Sequence, residues 1–188
     1  MKHLALLAWS IAAGALALTA AAAEERAART YALAGHGNLE LTYPSSWRDE
    51  VRPPSGTGSP TIMLRPAEGD EFLVMITPLW SPTNDRAFNS AEQVRKHLDR
   101  DRKGMLKLAA EKEIVLRSFG DPASVGFYFQ ATLEEPNPGE QPHVLRAGRG
   151  VSDLLLSATI FTRHENSADA REALAMLSTA RSYAPPSR

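Results

Sequence analysis

The sequence predicts an α+β fold, a single-domain α/β/α sandwich whose mainly antiparallel sheet is flanked by helices. Three observations carry that expectation. Short runs with period-two alternation follow one another through brief, turn-rich connections, which is how antiparallel strands are joined. Two longer stretches, residues 94–109 and 170–180, place apolar side chains at helical spacing. Phe72-Leu73-Val74-Met75-Ile76 is apolar without a break, as expected of a strand covered on both faces.

Taken in order, residues 38–43 put Leu39, Leu41 and Tyr43 on one face of a strand, which Pro44 ends because it lacks an N–H. Trp47 restarts an extended piece to Val51, and the proline- and glycine-rich residues 53–60 form a loop. Residues 61–65 and 71–77 read as a hairpin. Ser81-Pro82-Thr83-Asn84-Asp85 is a second loop, after which Ser90 and Gln93 have the spacing of a capping box. The helix so capped is expected to run to about Ala110, weakened at Gly104 by about 1 kcal/mol relative to alanine. Residues 113–119, 127–133, 144–151 and 153–162 are the remaining strands, with a proline-rich hairpin loop at 134–142. Ser167 caps a final helix with the stripe Ala170, Ala173, Leu174, Leu177 and Ala180.

The first 23 residues have the three-part layout of a secretory signal peptide: Lys2, an apolar core over 4–18, and small residues before Glu24. That core is shorter than the roughly 20 residues that span a bilayer. The expected organisation is a cleaved signal peptide at 1–23, a flexible lead at 24–30, one domain at 31–183 and a tail at 184–188. A periplasmic or secreted location follows. The chain has no cysteine, which excludes a lipidated cysteine, disulfides and thiolate chemistry. Cleavage removes one base, Lys2, from 21, leaving 20 Lys and Arg against 22 Asp and Glu, a net −2. Such a balance gives no bulk attraction to nucleic acid or anionic membranes, although a smaller patch can still bind.

Local catalytic signatures are absent. His36, His97, His143 and His164 are scattered, with no H-E-x-x-H or H-x-H spacing, and read as surface or rim residues. Asp99, Arg100, Asp101 and Arg102 alternate in sign, the pattern of a solvated, salt-bridged helix face. There is no G-x-S-x-G. Gly148-Arg149-Gly150 lacks the third glycine and the helix start of a phosphate loop, and reads as a bulge or a close approach of backbone. No residue is assigned to catalysis, to a metal or to a cofactor. Among the aromatics, Trp47 is expected to plug the core. Trp80 is read either as an exposed contact residue or as a cap on the core's rim.

The stretch Leu39-Glu40-Leu41-Thr42-Tyr43-Pro44-Ser45-Ser46-Trp47, a strand ending in Tyr-Pro-x-x-Trp, resembles the opening of the PsbP-like family. The late strand Asp153-Leu154-Leu155-Leu156-Ser157-Ala158-Thr159 and the C-terminal helix fit the same family. The resemblance implies an antiparallel sheet between helices, used as a protein-binding scaffold rather than as an enzyme. Together with the long loops, it leads to an expected function: an exported, non-catalytic interaction domain that docks on an extracytoplasmic protein. Trp80, Pro82, Pro53 and Pro54 are its expected contact residues. A carrier of a small apolar ligand between sheet and helix is the alternative, and a hydrolase assembled from distant residues is the third reading. Neither nucleic-acid binding nor stable membrane insertion after cleavage is expected.

Overall fold

A computed structural model of the chain describes residues 24–54, 56 and 58–183. The expected signal peptide and the tail at 184–188 lie outside the described residues. In chain order the elements are β1 (Arg26–Leu33), β2 (Gly37–Pro44), β3 (Trp47–Arg52), β4 (Thr61–Pro66), β5 (Phe72–Trp80), α1 (Ala91–Met105), β6 (Arg117–Phe119), a 3₁₀ turn (Pro122–Ser124), β7 (Gly126–Thr132), β8 (His143–Val151), β9 (Leu154–Thr162), α2 (Ala168–Thr179) and β10 (Arg181–Tyr183). All strand pairs among the described residues are antiparallel. The protein is α+β.

The strands form two sheets, not one: β1-β2-β10, and β3-β4-β5-β9-β8-β7-β6. The chain passes from the small sheet to the large one at Pro44-Ser45-Ser46-Trp47. There the Ser45 N–H donates to the Glu25 carbonyl at 2.8 Å and the Ala67 N–H to the Ser46 carbonyl at 2.9 Å. Trp47 is buried beyond this corner, its ring 4.5 Å from that of Phe72.

Alternation along the central strands sorts side chains into two cores. Val74, Ile76, Leu154, Leu156, Ala158 and Ile160 face Leu39 and Leu41 of the small sheet and Ala173, Met176 and Leu177 of α2. On the other side Leu155, Phe129 and Ala131 face Val94 and Leu98 of α1. The small sheet exists because Tyr31, Leu33, Leu39, Leu41 and Tyr43 must be buried on one side only. Tyr31 donates to Asp49 at 3.0 Å and its hydroxyl lies 2.9 Å from that of Tyr43. Burial raises the pKa of both phenols, so they remain neutral donors.

Arg149, only 7% exposed, fixes α2 to the sheet. Its guanidinium donates to the Leu177 carbonyl at 2.6 Å, near the C-terminus of α2, and to the Ser124 carbonyl and hydroxyl at 3.1 and 2.9 Å. Burial pulls its pKa below the ordinary arginine value, with Asp121 acting against that shift. A cation at a helix C-terminus complements the orphan carbonyls there.

The glycines on either side of it are sites of close approach, as the sequence suggested. A Cβ on Gly148 would stand 3.1 Å from Val94 Cγ1, and one on Gly150 would stand 2.2 Å from the Asn89 carbonyl oxygen. Both glycines let α1 and its lead segment sit against the sheet.

Six elements differ from expectation. The flexible lead is instead most of β1, because registry with β2 from Arg26↔Pro44 to Leu33↔Gly37 overrides the weak strand propensity of Ala27 and Ala28. The strand of residues 38–43 belongs to the second sheet. Helix α1 stops at Met105, and Leu108, expected on the buried stripe, is exposed while Ala109 bridges to Leu133. The strand expected over 113–119 shrinks to β6, since Ile114 turns under α1 and Arg102 donates to its carbonyl at 2.6 Å. The residues after α2 add β10 to β2. Strand β5 is central, as predicted, yet it is buried fully on one face only; Leu73 and Met75 are half-covered on the other.

The chain after α1 is tied down by Glu111, whose two carboxylate oxygens accept the Thr132 N–H at 2.8 and 2.9 Å. Burial pushes its pKa up, but the hydrogen bonds from Thr132 outweigh this and leave it below the ordinary value of 4.5. A depressed carboxylate pKa contributes stability above the unfolded value, lost as pH falls through the folded one. The stability gap between wild type and Glu111→Gln is therefore expected to be widest above pH 4.5 and to close on acidification. Urea unfolding across the acid range checks this, and a pH-independent gap counts against it. In the same assay Gly150→Ala is expected to lose about 1–3 kcal/mol, because its Cβ meets a backbone oxygen. Gly148→Ala, which meets side-chain methyls, should change stability less; the reverse order would contradict the close-approach account.

Candidate functional site

Three connections meet at one end of the large sheet. The β1–β2 turn carries His36 between Gly35 and Gly37, both at positive φ (79° and 74°). The β8–β9 hairpin turns through Ser152-Asp153, with Ser152 left-handed at φ 52°. Between β5 and α1, the segment 81–90 is held by its own side chains. Ser81 Oγ accepts from the N–H groups of Asp85 (2.8 Å) and Thr83 (3.3 Å), and Asp85 accepts the Ala87 N–H at 2.9 Å. Asn89 then clamps this segment to the hairpin turn: its side-chain amide donates to the Ser152 carbonyl at 2.6 Å and to the Leu154 carbonyl at 3.0 Å.

The result is an open cleft of about 300 Å³ lined by His36, Trp80, Asn84, Arg86, Asn89 and Asp153, among others. Trp80 forms its aromatic wall. The indole stacks on the His36 imidazole with centroids 4.1 Å apart and planes at 19°. His36 Nδ1 lies 3.6 Å from Asp153 Oδ2, an ion pair whenever the imidazole is protonated. Trp80 is half-buried: it packs on the larger core and also lines the cleft. Pro82 is exposed two residues on, in the adjoining loop. Pro53 and Pro54 are also exposed. The Thr61–Thr77 hydroxyl contact at 3.2 Å puts their loop at the same end of the sheet, although they do not line the cleft.

These geometries define a molecule of known shape. The solution structure of cyanobacterial PsbP (CyanoP) from Synechocystis sp. PCC 6803 superposes with a TM-score of 0.51 at 13% identity, covering 83% of this chain and 92% of that one. The fold is PsbP-like. A crystal structure from Bacteroides thetaiotaomicron VPI-5482 aligns at 13% identity and a TM-score of 0.40, covering 77% of this chain and 45% of that one. No family model matches the chain, and no curated protein does.

Within the PsbP-like fold the other histidines are dispersed. His97 lies 3.6 Å from Asp101, and His143 Nδ1 lies 3.2 Å from the Thr132 hydroxyl. No group of three His, Asp or Glu among the described residues is placed to hold a metal ion. In the cleft, the His36–Asp153 pair is the convergence that a hydrolase would need. Among the described residues no hydroxyl hydrogen-bonds the imidazole; Ser81 Oγ accepts from the amides of its own loop. Sequence reasoning singled out Trp80 and missed His36. Its one visible signal was its position between two turn glycines.

A second concavity, about 570 Å³, opens on the α1 side of the sheet, where the helix leaves β5 and β9 half-covered. Met75, Met105, Phe129, Leu133 and Phe161 give it an apolar floor. Arg146 crosses it to bond Asp101 at 2.8 Å and the Thr159 hydroxyl.

Because Asn89, alone among the described residues, ties the 81–90 segment to the hairpin turn by side-chain bonds, Asn89→Ala is expected to cost about 1–2 kcal/mol. Amide exchange should accelerate in residues 81–89 and 151–154 and stay slow in β4 and β5. Uniform acceleration across the sheet would contradict a local clamp.

Proposed function

We propose that this chain is an exported, non-catalytic interaction domain that docks on another extracytoplasmic protein through the Trp80 cleft. The α/β/α layering, with α1 on one face of the large sheet and α2 with the small sheet on the other, serves as its rigid scaffold. The observation that carries the reading is the half-exposed indole of Trp80, stacked on His36 and held at the mouth of a cleft whose loops are pinned by hydrogen bonds. A large aromatic ring fixed before binding loses little conformational freedom on contact, which is why tryptophan recurs among the residues that dominate interfaces. Arg86 and Asp153 supply charges of both signs around it, suited to a partner with its own mixed polar rim. Export rests on the layout of residues 1–23. No helix among the described residues is long and apolar enough to cross a membrane.

The groove under α1 favours a second reading, a carrier of a small apolar ligand, since its floor of methionine and phenylalanine is adaptable and apolar. One experiment separates the two. Tagged residues 24–188 are crosslinked mildly in the native envelope and the bound species identified by mass spectrometry. The docking reading expects one reproducible protein partner. Its affinity should fall by about 2 kcal/mol or more in Trp80→Ala, and less when Pro53 and Pro54 are replaced. No protein partner, with a small apolar molecule retained by the unlabelled domain in native mass spectra, would overturn docking in favour of the carrier.

A further inference from the structure

Helix α1 carries Lys96, Arg100, Lys103 and Lys107 on its outer side and just beyond its end, spaced four, three and four residues apart so that they form one ridge. All four are exposed. Of the acids that alternate with them in sequence, one turns away from the ridge and one pairs along it. Asp101 turns inward to Arg146 at 2.8 Å and to His97 at 3.6 Å. Asp99 is shared between Arg102 at 2.7 Å and Lys103 at 2.8 Å. Lys96, Arg100 and Lys107 have no ion-pair partner among the described residues. Glu92 and Glu113 lie on one flank, along the shallow groove beside the helix. Between positions 91 and 112 there are seven Lys and Arg against four Asp and Glu, net +3, while the rest of 24–183 has 12 against 18, net −6. The segment that carries α1 is therefore basic within an otherwise acidic chain, with Glu134 exposed beside its end, where the Glu134 N–H donates to the Leu108 carbonyl at 3.0 Å. At the same end of the ridge two leucines are exposed, Leu106 at 40% and Leu108 at 61%.

We propose that this ridge is a peripheral membrane-binding face that rests on anionic phospholipid headgroups, with Leu106 and Leu108 entering the interface at its end. A row of cations on a folded surface with exposed leucines beside it matches a headgroup layer over hydrocarbon. The acidic remainder of the domain is repelled by the same surface, so it orients with α1 downward.

Among the described residues every buried core side chain lies between Tyr31 and Ala180, so residues 24–188 contain the whole described fold and can be tested without the apolar N-terminus. The probe is flotation with vesicles of phosphatidylglycerol mixed with phosphatidylcholine, against vesicles of phosphatidylcholine alone. Binding is expected to the anionic vesicles at low salt, with release at high salt. Each cation removed should lower partitioning by roughly fivefold. The triple variant Lys96→Gln, Arg100→Gln, Lys107→Gln, which breaks no ion pair, should therefore lose on the order of a hundredfold, with an unchanged unfolding midpoint. Leu106→Ser with Leu108→Ser should lose severalfold. Absence of binding at low salt, equal binding to both vesicle types, or an unaffected triple variant would each overturn the proposal. Binding to soluble polyglutamate as tight as to the anionic vesicles would overturn it in favour of an acidic protein.

Discussion

The β8–β9 hairpin is the part on which both faces of the molecule depend. Its alternate residues belong to different cores: Leu154, Leu156, Ala158 and Ile160 point toward α2 and the small sheet, and Leu155 toward α1. On β8 the same alternation puts Arg149 against the last turn of α2 and leaves Gly148 and Gly150 beneath α1 and Asn89. A slip of one residue in the pairing Gly148↔Ser157 would exchange every one of these roles. Two-sided burial is thus what fixes the register. It also explains why the glycines and the buried guanidinium alternate along a single strand.

The candidate docking cleft is a product of that register. The hairpin turn at Ser152-Asp153 projects from the end of β8 and β9, and Asn89 binds it only because Gly150 lets the lead of α1 come within contact distance. Trp80 is the last residue of β5 and pairs with Leu154, so its indole sits beside the same turn. His36 arrives from the small sheet, which α2 holds against the large sheet. The His36–Trp80 stack thus joins the two sheets at their shared edge. A change deep in the hairpin would reach this mouth through Asn89 without touching it.

Much of this was legible in the sequence, and the failures have physical causes. Period-two runs marked β2 and β7, apolar runs between turn signals marked β4, β8 and β9, and Ser90 and Ser167 marked both helix starts, because these signals are local. The Tyr-Pro-x-x-Trp corner pointed to the PsbP-like fold. The division into two sheets was not legible. A strand's own pattern says which side is buried and not which strand it pairs with, so Leu39, Leu41 and Tyr43 looked the same in either sheet. Strands β1 and β10 were missed since Ala27, Ala28 and the three residues of β10 carry no strand signal of their own and are recruited by β2. The length of α1 was overread because Leu108 and Ala109 continue its period, whereas the chain turns after Leu106 to let Glu111 reach Thr132. At the site, Trp80 stood out as an aromatic in a turn-rich segment. Its partner His36 is 44 positions away, a distance that only tertiary packing closes.

Charge is where the linear reading misleads most. A net of −2 describes a surface with no preference, and the alternation of sign along residues 99–102 describes a neutralised helix face. The salt-bridged face is present in part, since Asp99 pairs with Arg102 and Lys103, but Asp101 leaves it for Arg146. Folding spends the acids of α1 on contacts below and beside it: Asp101 is taken by Arg146, a cation from β8 that would otherwise stand unpaired over the apolar groove. Asp99 is taken within the helix itself, and its carboxyl is held below the usual range by Lys103 and Arg102. What faces outward without an ion-pair partner among the described residues is Lys96, Arg100 and Lys107. A half-exposed ion pair at the base of a helix can in this way leave unpaired cations on its crest. The asymmetry of this domain is a consequence of how α1 is seated on the sheet.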